Sequence, residues 1–70
     1  MQKKISIEGM SCQHCVMHVK DALLEVGGKN IEVSLENKNA VGDFEDTISN
    51  DSIKSAIEDA GYDVVDIETL

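Results

Sequence analysis

The apolar residues of this chain switch repeatedly between strand-like and helix-like spacing, and that order limits the folds open to it. Residues 4–8 alternate between apolar and polar side chains, as a half-buried strand does. From about Gln13 the apolar residues recur at helical spacing, and Gly27 and Gly28 end that pattern. They are Val16, Val19, Ala22, Leu23 and Val26. The first part of the chain is therefore predicted to be a strand followed by an amphipathic helix.

The middle of the chain has the pattern of a β-hairpin. Residues 31–35 alternate, residues 36–39 have turn-forming side chains, and residues 40–44 read as the returning strand. In that strand Gly42 lies on the inward face, where it would give the core no side chain and weaken the strand. The alternative is that Val41 faces inward instead, through a register slip or a bulge.

A second helix and a last strand complete the pattern. Residues 49–51 are all N-cap types, and Gly61 suits the position just after a helix. The apolar residues between them are Ile53, Ala56, Ile57 and Ala60. The last strand is predicted from Val65 and Ile67 on one face, with Val64 on the other.

The resulting order, βαββαβ, predicts an α+β fold of the ferredoxin-like sandwich type. Because strand–helix–strand crossovers are right-handed, both helices should cover one face of a four-stranded antiparallel sheet. Residues 1–70 are predicted to form a single domain, since a chain this short has room for one core. The fold alone does not indicate a chemistry.

The charge of the chain excludes some partners. The net charge is −8, and it is uneven: residues 1–39 hold five lysines and five acidic residues, whereas residues 40–70 hold nine acidic residues and only Lys54. A nucleic acid backbone would be repelled, and the two aromatic residues offer no platform for bases. The acidic half either keeps the protein soluble or steers it to a basic partner surface.

The location of the protein is predicted from two further patterns. No apolar run is long enough to insert in a membrane. The first residues lead into strand-like alternation, so no secretory signal is indicated. We therefore expect a cytoplasmic protein whose thiols stay reduced.

Cys12 and Cys15 are the only cysteines, and they lie where the first strand gives way to the first helix. Backbone N–H groups and the positive end of the helix dipole favour a thiolate there, at Cys15 above all. Structural zinc needs four ligands. The two cysteines with His14 and His18 would supply four only if both histidines reached the site. Two thiolates without hard ligands suit Cu(I), and His18 stays open as a third ligand.

The residues around the cysteines resemble a known family. The run from Gly9 to Cys15 is similar to the GMxCxxC signature of heavy-metal-associated domains, and the run from Ala56 to Tyr62 is similar to their second signature. The resemblance covers essentially the whole chain and is greatest to the bacterial cytosolic copper chaperones. It implies that Cys12 and Cys15 bind Cu(I), and that the protein is not an enzyme.

The resemblance also implies partners and supporting residues. The expected recipient of the copper is the metal-binding domain of a copper-exporting P-type ATPase, with a copper-responsive repressor as a second possible partner. Met10 is expected to pack beneath the metal loop, and Tyr62 to lie close to the cysteines and cover them. Ser11 stands where zinc- and cadmium-binding relatives often have an acidic residue, which favours copper.

Several interpretations remain open beside this one. His14 and His18 are expected mainly to face solvent, and Met17 to be an exposed side chain that could belong to a docking patch. The protein is expected to be a monomer without metal, and copper could bridge two copies. The alternatives are a detached regulatory domain of a P-type ATPase, a homologue that binds zinc, cadmium or mercury, and a thiol oxidoreductase. The absence of proline counts against the last, because thioredoxin-like sites use a cis-proline.

Overall fold

The computed structural model describes residues 1–70 and has the predicted βαββαβ order. The elements are β1 (Gln2–Glu8), α1 (Gln13–Glu25), β2 (Lys29–Ser34), β3 (Asn39–Asp43), α2 (Asn50–Asp59) and β4 (Asp63–Thr69). The four strands form one antiparallel sheet in the order β2-β3-β1-β4. The two helices pack against each other and on one face of the sheet, which confirms the ferredoxin-like sandwich. Neither helix combines the length and the apolar composition that a membrane span requires.

The core lies between the helices and the inward face of the sheet. Its largest fully buried side chains are Ile5, Ile7, Val19, Leu23, Phe44, Ile53 and Ile57. Both helices contribute them at the predicted spacing, and the caps agree with the sequence pattern as well. The Ser49 side chain accepts a hydrogen bond from the Ser52 amide (3.1 Å), and Gly61 has a φ of +100° just after α2.

The structure corrects the prediction for the last strand. Val65 and Ile67 do not share a face, because the pairing of β4 with β1 shifts by one residue between Ser6 and Ile7. The extra residue turns Val65 outward, where 60% of it is exposed. Val64 and Ile67 are the β4 side chains that pack against the core.

Gly42 faces inward, and Val41 does not replace it. The register between β1 and β3 is regular, with Lys3 opposite Gly42 and Ile5 opposite Ala40. The irregularity lies in β2, between Lys29 and Glu32, where Asn30 has a φ of +53°. The side chain of Ile31 fills the space above Gly42, so the glycine makes room for a core residue that belongs to the neighbouring strand.

We expect the substitution Gly42→Ala to destabilise the protein, although alanine ordinarily suits a strand better than glycine. A Cβ at this position would overlap Cδ1 of Ile31 and come within 3.3 Å of the Phe44 ring. Such overpacking typically costs about 1–3 kcal/mol. Ile31→Val removes the clashing atom, so the double variant should lose less stability than the sum of the two single variants. Urea unfolding of all four proteins measures this, and additive losses would contradict the account.

Candidate metal site

The loop between β1 and α1 is held from both sides. Gly9 has a φ of +98°, which favours glycine, and a Cβ there would contact the Tyr62 ring at 3.5 Å. Met10 is buried in the core cluster with 5% of its surface exposed. The loop that precedes the cysteines is therefore anchored by Met10, while Ser11 is exposed.

The two cysteines meet at the N-terminus of α1. Cys12 is the N-cap residue, and its carbonyl accepts hydrogen bonds from the amides of Cys15 (3.1 Å) and Val16 (3.3 Å). This first turn brings the Sγ atoms of Cys12 and Cys15 to 3.2 Å from each other, and both thiols are free. Cys12 is exposed and Cys15 is half-buried. The pair therefore lies at the rim of the fold, open to solvent on one side.

The surroundings of Cys15 favour its thiolate. Hydrogen bonds from the Ser11 backbone, from the Tyr62 hydroxyl and from the Cys12 thiol lower the pKa of Cys15 from 9.0 to about 6. The first turn of α1 also carries no acidic residue, whose negative charge would disfavour a thiolate there. At neutral pH the site is therefore a thiolate beside a second sulfur.

Tyr62 takes a more specific role than the cover expected from the sequence. Its hydroxyl donates to Cys15, and this hydrogen bond is the main reason that the pKa of Tyr62 rises to about 12. The phenol therefore stays protonated, as a donor to the thiolate. The same oxygen lies 3.4 Å from Nδ1 of His18, so Tyr62 links the cysteine pair to α1 one turn further along.

The other predicted site residues lie on the solvent-facing side of α1. His14, Met17 and His18 are all exposed, Met17 with 62% of its surface. Together with Asp21 they line an open depression on the helix. No group of three or more His, Cys, Asp or Glu side chains is arranged to hold a metal ion.

The arrangement has a definite chemical capacity. Two sulfurs at 3.2 Å, one of them a thiolate, can bind a soft cation on the exposed rim. Sequence reasoning missed two contributions to this capacity, the Ser11 backbone and the Tyr62 hydroxyl. The first depends on the path of the loop, which residue types do not specify. Tyr62 was expected beside the cysteines only as a cover, because its hydrogen bond to Cys15 depends on how α2 packs beside α1.

Comparisons with known proteins place this site in a family context. The heavy-metal-associated domain family matches residues 4–63. The copper chaperone CopZ of Staphylococcus saprophyticus is 48% identical over 62 residues, which span 86% of this chain and 91% of that protein. A mercuric reductase of Lysinibacillus sphaericus is 42% identical over 67 residues, which span 96% of this chain but 12% of the reductase.

Solved structures show the same similarity. A CopZ metallochaperone superposes with a TM-score of 0.84 at 40% identity, over 93% of this chain and all of that one. A copper-binding domain from HMA7, a P-type ATPase, superposes with a TM-score of 0.83 at 31% identity, over 99% of this chain and all of that domain.

Proposed function

The chain belongs to the heavy-metal-associated domain family, and we propose that it acts as a cytoplasmic copper chaperone. In this proposal Cys12 and Cys15 bind Cu(I) and release it to the metal-binding domain of a copper P-type ATPase. The role is binding and transfer, without catalytic turnover. Met10 supports the loop, and Tyr62 donates a hydrogen bond to the ligand thiolate.

The observation that carries the proposal is the pair of sulfurs on an exposed rim. Thiolates are soft ligands that select Cu(I), and Cys15 is already ionised at neutral pH. Zinc in structural sites takes four ligands, and the pair on the rim supplies two. Two ligands leave coordination positions open, so a second protein can begin to bind the ion before the first releases it.

The partner is proposed from the shape of the site and from the similarity to an ATPase domain. A domain with the same fold can present its own ligands at the same rim, and the two rims can then face each other across one copper ion. Each Cu–S bond to the recipient forms before the corresponding bond to Cys12 or Cys15 breaks. The ion is thereby exchanged between sulfurs without being released into water.

Electrostatic steering should accelerate this encounter. Glu58, Asp59 and Asp63 are exposed near the end of α2 and the start of β4, on either side of Tyr62. We expect the triple variant Glu58→Gln, Asp59→Asn, Asp63→Asn to slow copper transfer to a basic recipient domain at low salt. Its intrinsic Cu(I) affinity should barely change, because distant carboxylates contribute little to a thiolate bond. Stopped-flow transfer rates against ionic strength measure the effect.

A matched control removes equal charge elsewhere. Glu45, Asp46 and Asp51 are exposed on the loop before α2 and in its first turn, at the other end of that helix. Their neutralisation should leave the salt dependence of transfer close to that of the wild type. Equal salt slopes for all three proteins would mean that the acidic surface serves solubility alone.

A second candidate function has its own observation. The similarity to a segment of a mercuric reductase favours a domain that binds Hg(II), which is also soft. A detached regulatory domain of an ATPase would have the same rim, and so would a zinc- or cadmium-binding homologue. Metal competition separates the ions, whereas transfer to an ATPase domain separates a chaperone from a regulatory domain.

An open rim also allows two further partners. A second copy of the chain can add thiolates to the same ion, so we propose a copper-bridged dimer that small thiols disperse, with a monomer in the absence of copper. A copper-responsive repressor that binds Cu(I) through cysteines could receive the ion by the same exchange.

A further inference from the structure

The helix α1 carries a second group of possible metal ligands, apart from the cysteines. His14 and His18 are the only histidines of the chain and lie four residues apart on this helix. Both are exposed, and both line one open depression of about 360 Å³ together with Met17 and Asp21. The cysteine pair does not line this depression.

The spacing of these side chains suits a metal ion. Residues four apart on a helix are neighbours on one face, and two histidines at this spacing bind zinc in helical metalloprotease sites. Asp21 lies three residues beyond His18, on the same face. The three side chains are not gathered around one point, but all three are exposed and can turn between rotamers without disturbing the core.

The Tyr62 hydroxyl favours one arrangement of His18. The Tyr62 oxygen lies 3.4 Å from Nδ1 of His18 and can accept a hydrogen bond from it. A histidine whose Nδ1 carries the proton presents the lone pair of Nε2. Metal-binding histidines are commonly oriented in this way by a partner on the other ring nitrogen.

We propose that His14 and His18, with Asp21 as a third ligand, form a second metal site that takes a borderline divalent cation such as Ni²⁺, Zn²⁺ or Cu²⁺. Imidazole and carboxylate are ligands of intermediate to hard character, whereas the cysteine pair selects soft ions. The two sites therefore differ in the metals that they take. The second site does not depend on which soft ion the cysteines carry.

Nickel titration of a protein without thiols tests the site. In the double variant Cys12→Ser, Cys15→Ser, calorimetry should show one saturable Ni²⁺ site, with broadening of amide NMR signals centred on the first three turns of α1 and on the neighbouring Tyr62. Replacing either histidine with glutamine should weaken binding at least about tenfold, because two ligands on one helix act as a chelate. Affinity should rise from Mn²⁺ through Co²⁺ to Ni²⁺.

The carboxylate has a matched control on the same helix. Asp21→Asn should weaken Ni²⁺ binding, whereas Glu25→Gln removes the same charge one turn further on and should not. Equal affinities of these two variants would remove Asp21 from the site. Wild-type affinity in either histidine variant, or no saturable binding at all, would overturn the proposal.

A second measurement keeps the test independent of the serine variants. When Hg(II) occupies the cysteines of the wild-type protein, Ni²⁺ should still bind with the same affinity and release no mercury. Loss of the nickel site under these conditions, or release of mercury, would show that the two groups of ligands are one site and would overturn the proposal.

Discussion

Replacing Cys12 or Cys15 with serine is expected to remove tight Cu(I) binding while the fold persists. A hydroxyl is a poor ligand for a soft ion, and even the loss of a residue that only orients a ligand costs 10–100-fold in affinity. We therefore expect each variant to bind Cu(I) more than about 100-fold more weakly. Competition with a chromophoric Cu(I) chelator under anaerobic conditions measures the affinity.

The fold should survive because the pair lies on the rim. Cys12 is exposed, so Cys12→Ser should change the free energy of unfolding by no more than about 0.5 kcal/mol. Cys15 packs against the core cluster, so Cys15→Ser should lower the free energy of unfolding somewhat more. Gln13→Ser, which changes the exposed residue just after Cys12 and keeps both sulfurs, is the matched control and should retain binding. Full Cu(I) affinity in either cysteine variant, or an unfolded Cys12→Ser protein, would contradict the assignment.

The second large effect concerns the reactivity of Cys15. Its pKa of about 6 implies that most molecules carry the thiolate at pH 7, whereas a thiol at 9.0 would be ionised in roughly one molecule in a hundred. Iodoacetamide labelling of Cys15, located by tandem mass spectrometry, should therefore reach half of its limiting rate near pH 6. In Tyr62→Phe this midpoint should move to higher pH, because the thiolate loses a hydrogen bond.

The same shift makes the stability of the metal-free protein depend on pH. Between about pH 6 and 9 the unfolded chain binds more protons at Cys15 than the folded one, so stability should rise with pH across this window. This contribution is complete above about pH 9 and is lost as pH falls to about 6, below which Cys15 is protonated in both states. Cys15→Ser should abolish this part of the pH dependence.

His18→Gln is the control for Tyr62→Phe in the labelling experiment, since it removes the neighbour of the phenol and leaves the donor to Cys15. A midpoint unchanged in Tyr62→Phe would show that the hydroxyl does not act on Cys15.

The order and type of the elements could be predicted because each has its own spacing of apolar residues. The predicted faces are wrong where two strands do not pair residue by residue. The extra residue at Val65 reverses the face on which the later residues of β4 lie, and no residue type marks it. The role of Gly42 depends on a side chain from another strand, Ile31, and so lies outside any local pattern.

Lys3 is a second residue whose position depends on a distant part of the chain. It lies on the inward face of β1 with Ile5 and Ile7, and only 8% of it is exposed. Its ammonium donates to the side-chain carbonyl of Asn50 at 2.6 Å, at the start of α2. From the sequence, a lysine does not fit a core-facing strand position. Its place there is explained by a hydrogen-bond partner 47 positions away.

The cysteine pair was the part of the site most open to prediction, because a short motif and a helix N-terminus suffice to bring the sulfurs together. The contacts around the cysteine pair could not be predicted in the same way. The hydrogen bond from Tyr62 to Cys15 requires the end of α2 and the start of β4 to lie beside the β1–α1 loop, which is a property of the assembled fold. The depression lined by His14 and His18 was equally hidden, since the sequence indicates two solvent-facing side chains without a common role.

Metal competition tests the central claim most directly. The protein is mixed under reducing conditions with Cu(I), Zn(II) and Hg(II), each buffered at a defined free concentration, and the bound species are identified by native mass spectrometry. At free concentrations at which Cu(I) saturates the protein, we expect one Cu(I) per chain on the cysteine pair, with Zn(II) unable to displace it and binding lost in Cys12→Ser. A protein that takes up Zn(II) in preference to Cu(I), or that binds no Cu(I) at these free concentrations, would contradict the account.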